Sequence, residues 1–406
     1  MKPKTGELRS ALAGGEADLA AAAFGQSRAQ ADVVPTVREA SRLLARLFEG
    51  FAGGGAIRLW DGTLVPLGNT RNATPAYTLV FRNPQVIGAM VLGRDRLRLP
   101  EAFFRGDIDI EGDFFKALAL KDHLQAIRLS WPERLRVLAP AMRLAWAGRT
   151  AGPRSAVGTP LHADRVTAHS KSENRVAVQF HYDLSNAFYA LWLGRAMVYS
   201  CAYFASPEQG LDEAQTAKLD HICRKLRLKP QDRLLDIGCG WGALLLHAAK
   251  HYGVEAHGVT LSRKQLAVAQ QRIAAAGLAH RVTVDLRDYR DLEGAAPYDK
   301  IASVGMFEHV GLRNLPGYFN TVHRLLKPGG VFLNHGITHD VEGWKKTLST
   351  EFINRYIFPD GQLDTVSNVQ RVMEASGFEI ADVESLRSHY ALTLRHWVRR
   401  LEAHHA

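Results

Sequence analysis

Apolar positions along the chain follow two successive patterns. Val37, Ala40, Leu43, Leu44, Leu47 and Phe48 recur at helical spacing and predict a helix over 35–48, broken by Gly53-Gly54-Gly55. Strand-like runs follow at Ile57–Trp60, at Thr78–Phe81 and around Leu97–Leu99, with turn pairs at Asp61-Gly62 and Asn83-Pro84. These predict a small α+β domain before about residue 115, then a helical connector. From about Asn174 strands alternate with helices. The predicted strands are Arg233–Ile237, Glu255–Thr260, Val282–Leu286, Lys300–Val304 and Gly330–Asn334, with helices over Trp241–Tyr252 and Ser262–Ala276. That alternation is the pattern of an α/β fold: a mostly parallel sheet with helices on both faces.

A length of 406 residues suits two domains, here 1–165 and 166–406, with Gly152-Pro153 and Gly158 to Pro160 marking the loop between them. Hydrophobic residues make up 46% and charged residues 23%, as in a globular protein. No apolar run reaches the roughly 18–20 residues of a membrane-spanning helix. Three cysteines, Cys201, Cys223 and Cys239, form neither a disulfide framework nor a metal spacing, so a cytoplasmic location is expected. His251, His257, His404 and His405 lack an acid or cysteine at ligand spacing, and no metal site is expected.

The net charge of +10 would attract anionic lipid or nucleic acid. Its distribution separates the two. Between Lys116 and Arg154 there are eight Lys/Arg and two Asp/Glu, interleaved with Leu118, Leu124, Ile127, Leu129, Leu135, Leu138, Met142, Leu144 and Trp146. Basic residues on an apolar helical framework fit a membrane interface, and equally a helix pair packed between domains. A bilayer is the expected partner, and nucleic acid is not.

The strongest local signal is Leu234-Leu-Asp-Ile-Gly-Cys-Gly-Trp-Gly242, at the end of a strand and the start of a helix. Gly238, Gly240 and Gly242 allow a tight turn and close approach of a ligand. Dinucleotide enzymes also use such loops. Here Asp236 stands inside the strand, and Asp288-Tyr289 follows the third strand. The loop resembles that of class I (Rossmann-like) S-adenosylmethionine-dependent methyltransferases. Many of these end the second strand with an acid; this chain has Thr260, Ser262 and Gln265 instead, whose hydroxyl and amide groups can bond a ribose without charge.

Further segments narrow the resemblance: His181–Asn186, Met197–Phe204, Val304–Gly311, Phe332–Ile337, Arg355–Gly361 and Ser388–Trp397. With the glycine loop they resemble cyclopropane-fatty-acyl-phospholipid synthases and the related mycolic acid cyclopropane synthases, from about residue 174 to the end. Leu99–Gly112 resembles the N-terminal domain of the phospholipid enzymes. The resemblance implies that Tyr199 and Ser200 contact the methionine end of S-adenosylmethionine, that Gly238 and Gly240 lie under it, that Thr260 to Gln265 hold the ribose, and that Asp288 and Tyr289 hold the adenine. It places a bicarbonate site at Cys201, Glu308, His335, Ile337 and Tyr390. It also implies a homodimer, peripheral attachment to the membrane, and an unsaturated phospholipid as substrate.

The implied chemistry needs such residues. An isolated alkene is a weak nucleophile, and a sulfonium methyl group is electrophilic enough to react with it. Methyl transfer leaves a carbocation, which must be kept from water until a base removes a proton from the new methyl group and the ring closes. Aromatic faces stabilise a cation by about 0.5–2 kcal/mol each. Phe180, Tyr182, Phe188, Tyr189, Tyr199, Tyr203 and Phe204 are candidates, Tyr199 foremost. Bicarbonate could be held by the His335 ring, the Tyr390 hydroxyl and the backbone N–H groups of Cys201 and Ile337. Glu308 either accepts bicarbonate's own proton or is itself protonated and donates. Taken singly, Cys201 reads as an inert buried thiol and His335 as a strand-end packing residue. A covalent role for Cys201 has no step to serve.

The resembled family carries further chain beyond the helix containing Trp397 and closes its sheet with a hairpin strand. That final strand is expected to be absent here, leaving a strand near Phe378–Val383 as an exposed edge. Alternative outcomes are a methyl- or methylene-branched fatty acid, methylation of a small amine, or a catalytically impaired lipid-binding homologue.

Overall fold

The computed structural model describes residues 35–51, 53–68, 74–92, 97–126, 130–147, 185–294, 297–343, 347–357 and 361–404. Internal contacts divide the chain into Met1–Thr159 and Pro160–Ala406. The boundary expected near residue 165 lies outside the described residues.

The first unit opens with a helix over 35–47 (α1), ending one residue before the predicted end. Four strands form one sheet: β1 (Gly55–Arg58), β2 (Leu64–Leu67), β3 (Tyr77–Phe81) and β4 (Ile108–Gly112), in the order β2-β1-β3-β4. β1 and β2 pair antiparallel through the Asp61-Gly62 turn, where Gly62 has φ +89° and the Asp61 carboxylate accepts the Thr63 N–H at 3.0 Å. β1 and β3 are parallel, and β4 returns antiparallel to β3.

Leu97–Leu99, expected as strand, instead opens the helix α3 (Arg98–Phe104) that follows α2 (Pro84–Leu92). Pro100 lacks an N–H and fits a first helical turn, and Glu101 favours the positive end of the helix. The connector forms α4 (Phe114–Leu118), α5 (Leu120–Ala126) and α6 (Trp131–Ala147). α2 crosses α6 closely at Gly88, where a Cβ would lie 2.5 Å from the Ala141 carbonyl oxygen. Ile57, Leu67, Phe81, Ile87 and Leu144 fill the core of this unit.

The second unit begins with α7 (Asn186–Leu193) and α8 (Leu211–Lys225). Its sheet contains β5 (Arg233–Ile237), β6 (Glu255–Thr260), β7 (Val282–Leu286), β8 (Tyr298–Val304) and β9 (Leu326–His335), in the order β7-β6-β5-β8-β9, with every pairing parallel. α9 (Ala243–Tyr252), α10 (Arg263–Ala275) and α11 (Leu315–Leu325) connect the strands. One core buries Leu234, Leu245 and Ala302, and another Leu235, Ile301 and Phe319, so both sheet faces are covered. The chain runs outward from β5 to β7 and then crosses back to β8. This puts the topological switch between β5 and β8, where open α/β sheets bind ligands at their carboxyl edge.

After α12 (Leu348–Phe352) and α13 (Val366–Ala375), residues 378–386 run without regular structure into α14 (Arg387–Glu402). The strand expected near Phe378–Val383 therefore does not form. A strand requires a ladder partner, and none of the described strands pairs with this segment.

Candidate functional site

β5 ends at Ile237, and the chain turns through Gly238, Gly240 and Gly242 with φ of +81°, +55° and +81°. A side chain at Gly238 would be strained by that backbone, and its Cβ would lie 3.0 Å from the Met306 Cγ. The turn opens a cavity of ≈ 150 Å³ over the carboxyl ends of β5, β6 and β8. Of the residues expected to bind a cofactor, Tyr199, Ser200, Asp236, Gly238, Gly240, Thr260, Gln265, Asp288 and Tyr289 line it. Gly242 and Ser262 stand behind the lining. Gly242 caps α9, and the Ser262 hydroxyl caps α10 by accepting the Gln265 N–H at 3.3 Å.

The walls are prearranged by hydrogen bonds. Thr260 Oγ1 donates to Gln265 Oε1 at 2.8 Å, which fixes the amide and leaves its NH₂ as the donor end. The buried Asp288 carboxylate accepts from the Arg290 backbone N–H at 2.9 Å, Nε at 2.8 Å and Nη2 at 2.6 Å. The Tyr199 ring lies 5.1 Å from Trp192, 5.4 Å from Trp397 and 5.7 Å from Tyr189, centroid to centroid. Tyr199 thus faces the cavity with an aromatic cluster behind it. Tyr189 and Phe204 are buried packing residues, and Tyr203 stacks between His221 and His389 at 4.2 and 4.5 Å. Phe180 and Tyr182 lie outside the described residues.

Sequence reasoning missed Lys218. It is 2% exposed, lines the cavity, and donates from Nζ to the Ser200 hydroxyl at 2.9 Å. Burial lowers its pKa, and Asp236 partly offsets that; burial in turn raises the Asp236 carboxyl, which Lys218 holds down. Gln215, one turn earlier on α8, donates to the Ser200 carbonyl at 3.0 Å. Leu211, Ala214, Gln215, Lys218, Leu219 and Ile222 form the buried stripe of α8. A lysine and a glutamine on an otherwise apolar stripe were the available signal.

None of the five proposed bicarbonate positions lines this cavity; Glu308, His335 and Ile337 stand at or just past the carboxyl ends of β8 and β9, and Cys201 and Tyr390 are within electrostatic reach of Lys218 and Glu308. Glu308 is buried in a short 3₁₀ turn after β8, and its Oε1 accepts the Ile337 N–H at 2.8 Å. That N–H, expected to serve an anion directly, is therefore held by Glu308. Its other oxygen, Oε2, is buried and has no hydrogen-bond partner among the described residues. Burial raises the Glu308 pKa. His335 ends β9 opposite Val304 and accepts the Gly305 N–H on its carbonyl at 2.8 Å. Burial, then the Lys218 charge, pushes its ring down to about 4. Cys201 is a neutral thiol, pushed up to about 11 by burial. The Tyr390 hydroxyl is pushed up to about 12, first by burial and then by its coupling to the acidic groups of Glu308 and Cys201 nearby. α14 clamps the Cys201 segment: the Ala202 N–H donates to Thr393 Oγ1 at 3.0 Å and the Phe204 N–H to His389 Nδ1 at 3.0 Å.

Residues 169–406 match the family described as mycolic acid cyclopropane synthetase. The chain belongs to this family. A probable fatty acid methyltransferase of Pseudomonas putida is 40% identical to this cyclopropane synthetase family member over 349 residues, 85% of this chain and 80% of that one. The cyclopropane-fatty-acyl-phospholipid synthase of Escherichia coli K12 is 44% identical over 236 residues, 58% of each chain. The chain thus spans little more than half the length of that relative. Among solved structures, the cyclopropane synthase MmaA2 from Mycobacterium tuberculosis superposes with a TM-score of 0.53 at 37% identity, covering 57% of this chain and 84% of that one. The mycolic acid cyclopropane synthase CmaA1 complexed with SAH and CTAB gives 0.52 at 38% identity, covering 57% and 84%. The α/β unit has the class I S-adenosylmethionine methyltransferase fold shared by these synthases.

Proposed function

We propose that this cyclopropane synthetase family member transfers a methylene group from S-adenosylmethionine to the cis double bond of an unsaturated phospholipid acyl chain. In this reading the new methyl group loses a proton as the cyclopropane ring closes, and Glu308, His335 and Tyr390 would hold the bicarbonate that supplies the base. The observation that carries it is the buried, unpartnered Glu308 Oε2, held beside Ile337 and within electrostatic reach of Tyr390. A buried polar atom without a partner is costly unless a ligand completes it.

The cavity fits the methyl donor. Gly238 and Gly240 leave room over the β5 end, Thr260 and Gln265 offer ribose partners, and CmaA1 was solved with SAH. When bound, S-adenosylmethionine supplies an electrophilic sulfonium methyl group. Ser200, fixed by Lys218 and Gln215, would orient its methionine end. The Tyr199 ring would present a π-face to positive charge at sulfur or at the alkylated carbon.

The second cluster fits a small anion that carries its own proton. Glu308, with its raised pKa, can donate from Oε2 or accept the anion's proton there. The Tyr390 hydroxyl is a neutral donor, and neutral His335 has one donor and one acceptor nitrogen. When bound, bicarbonate would supply the basic oxygen. Burial of Cys201 and Glu308 would keep water from the cation.

A phospholipid substrate is supported by the name of the Escherichia coli relative and by the α+β unit that precedes the catalytic fold. The test is incubation with S-adenosylmethionine and vesicles of cis-unsaturated phospholipid. The expected result is a gain of one CH₂ per double bond, with cyclopropyl proton signals by NMR. The Pseudomonas putida relative favours a second reading, in which the cation loses a proton without ring closure. Exocyclic-methylene or methyl-substituted olefinic signals in place of cyclopropyl ones would establish that outcome.

A further inference from the structure

α6 presents apolar residues on the side away from its own core. Val137, Ala141 and Leu144 are buried, while Trp131, Leu135, Leu138, Met142 and Trp146 are exposed. Trp131 is 72% and Trp146 73% exposed, more than any other large apolar residue described. At 100° per residue these five positions fall on one stripe, roughly opposite the buried one. The stripe runs about 22 Å along the helix, at 1.5 Å per residue. A monomeric soluble protein rarely leaves such a row in water.

From this geometry we infer that α6 is an interfacial helix that lies flat on an anionic lipid bilayer and brings the enzyme to its substrate. The inference deepens the function proposed above and rests on it only for the acyl substrate. Three observations select a bilayer as the occupant. Tryptophan at both ends of a Leu/Met row suits the headgroup boundary, where an indole buries its ring and keeps its N–H wet. The surrounding sequence, Lys116 to Arg154, carries eight Lys/Arg against two Asp/Glu, and the described Lys116, Lys121, Arg136 and Arg143 are exposed. That excess complements anionic headgroups. The face of a single helix also offers a rigid partner a narrow contact, whereas lipid conforms to it. The helix cannot span: no described helix is long and apolar enough to cross a membrane.

The test uses the full chain and vesicles of cis-unsaturated phosphatidylglycerol and phosphatidylcholine, with pure phosphatidylcholine as comparison. The wild type should float with the anionic vesicles, show blue-shifted tryptophan emission, and be quenched by brominated acyl chains. Leu138→Glu/Met142→Glu changes two exposed residues and should keep the wild-type melting temperature. It should lower vesicle partitioning at least tenfold, yet match the wild-type rate on detergent-dispersed lipid. Trp131→Phe/Trp146→Phe should remove most of the bromolipid quenching. Equal partitioning of the glutamate variant and the wild type would overturn the inference. So would a stripe that instead holds two copies together, seen as a wild-type dimer that the glutamate variant dissociates with vesicle binding intact. Vesicle binding that depends on the stripe, with no methyl transfer to vesicles or dispersed lipid, would sustain the inference and sink the proposed function.

Discussion

The Glu308 carboxylate grips the Ile337 backbone N–H at 2.8 Å, joining the turn after β8 to the residue two beyond the end of β9. One carboxylate oxygen thus does structural work, while the other, Oε2, stays buried and unpartnered. Glu308→Gln keeps an acceptor for Ile337 but replaces the proton-handling oxygen with an amide. It should lower methyl transfer by about 10²–10⁴-fold, the range for loss of a proton-transfer group. The dissociation constant for S-adenosylmethionine, measured by calorimetry, should change less than about threefold. Full activity in Glu308→Gln would remove Glu308 from the mechanism.

Lys218 and Asp236 are both buried in the cavity wall, and each lies close enough to offset part of the other's burial-driven pKa shift. Removing Lys218 takes away the cation that partly offsets burial of the Asp236 carboxyl, so the carboxyl's charge becomes costlier. Lys218→Met should therefore be markedly destabilised in urea. Lys218→Met/Asp236→Asn should recover part of that loss, because the second change removes the stranded carboxylate. If the double variant instead shows the simple sum of the two single losses, the charges are not coupled.

Legibility in the sequence followed locality. Arg233–Ile237, Glu255–Thr260 and Val282–Leu286 form strands over the residues predicted, because short apolar runs bounded by turns report directly on a parallel sheet. The glycine loop was equally plain, since its positive φ angles demand that residue type. Leu97–Leu99 misled because alternating Leu and Arg looks like strand when Pro100 is not weighed as a helix opener. Phe378–Val383 misled because a strand depends on a neighbour that periodicity cannot supply. Lys218 escaped because its meaning comes from Ser200 and Asp236, which only the fold brings to it. The Glu308–Ile337 bond was invisible for the same reason, its donor and acceptor standing 29 positions apart in the chain.

The Thr260–Gln265 bond makes a separable prediction about the methyl donor. α10 is capped by the Ser262 hydroxyl on the backbone N–H of Gln265, not on its side chain. Gln265→Ala should therefore leave the helix intact and remove only the amide. Loss of one or two hydrogen bonds, about 1–2 kcal/mol, corresponds to roughly 5–30-fold weaker binding of S-adenosylmethionine. The rate at saturating donor should stay near wild type. A fall in that rate with unchanged affinity would place Gln265 elsewhere in the mechanism.

His335 gives the fold a pH dependence of definite sign. Its ring is pushed down to about 4, first by burial and then by the Lys218 charge. An unfolded histidine titrates near 6.5. Above about pH 6.5 both states are neutral and the stability from this site is fully present. As pH falls from 6.5 toward 4 the unfolded chain takes up a proton that the folded ring refuses, so stability is lost through that window. Below 4 both states are protonated and the loss levels off. Between pH 7.5 and 5.5 the loss from this group should be about 1 kcal/mol. His335→Asn does not titrate there, so its urea-unfolding free energy should fall less than the wild type's over the same interval, by about that amount. Parallel declines in the two proteins would show that His335 is protonated in the folded state, and its role as a neutral donor to a buried anion would fail with it.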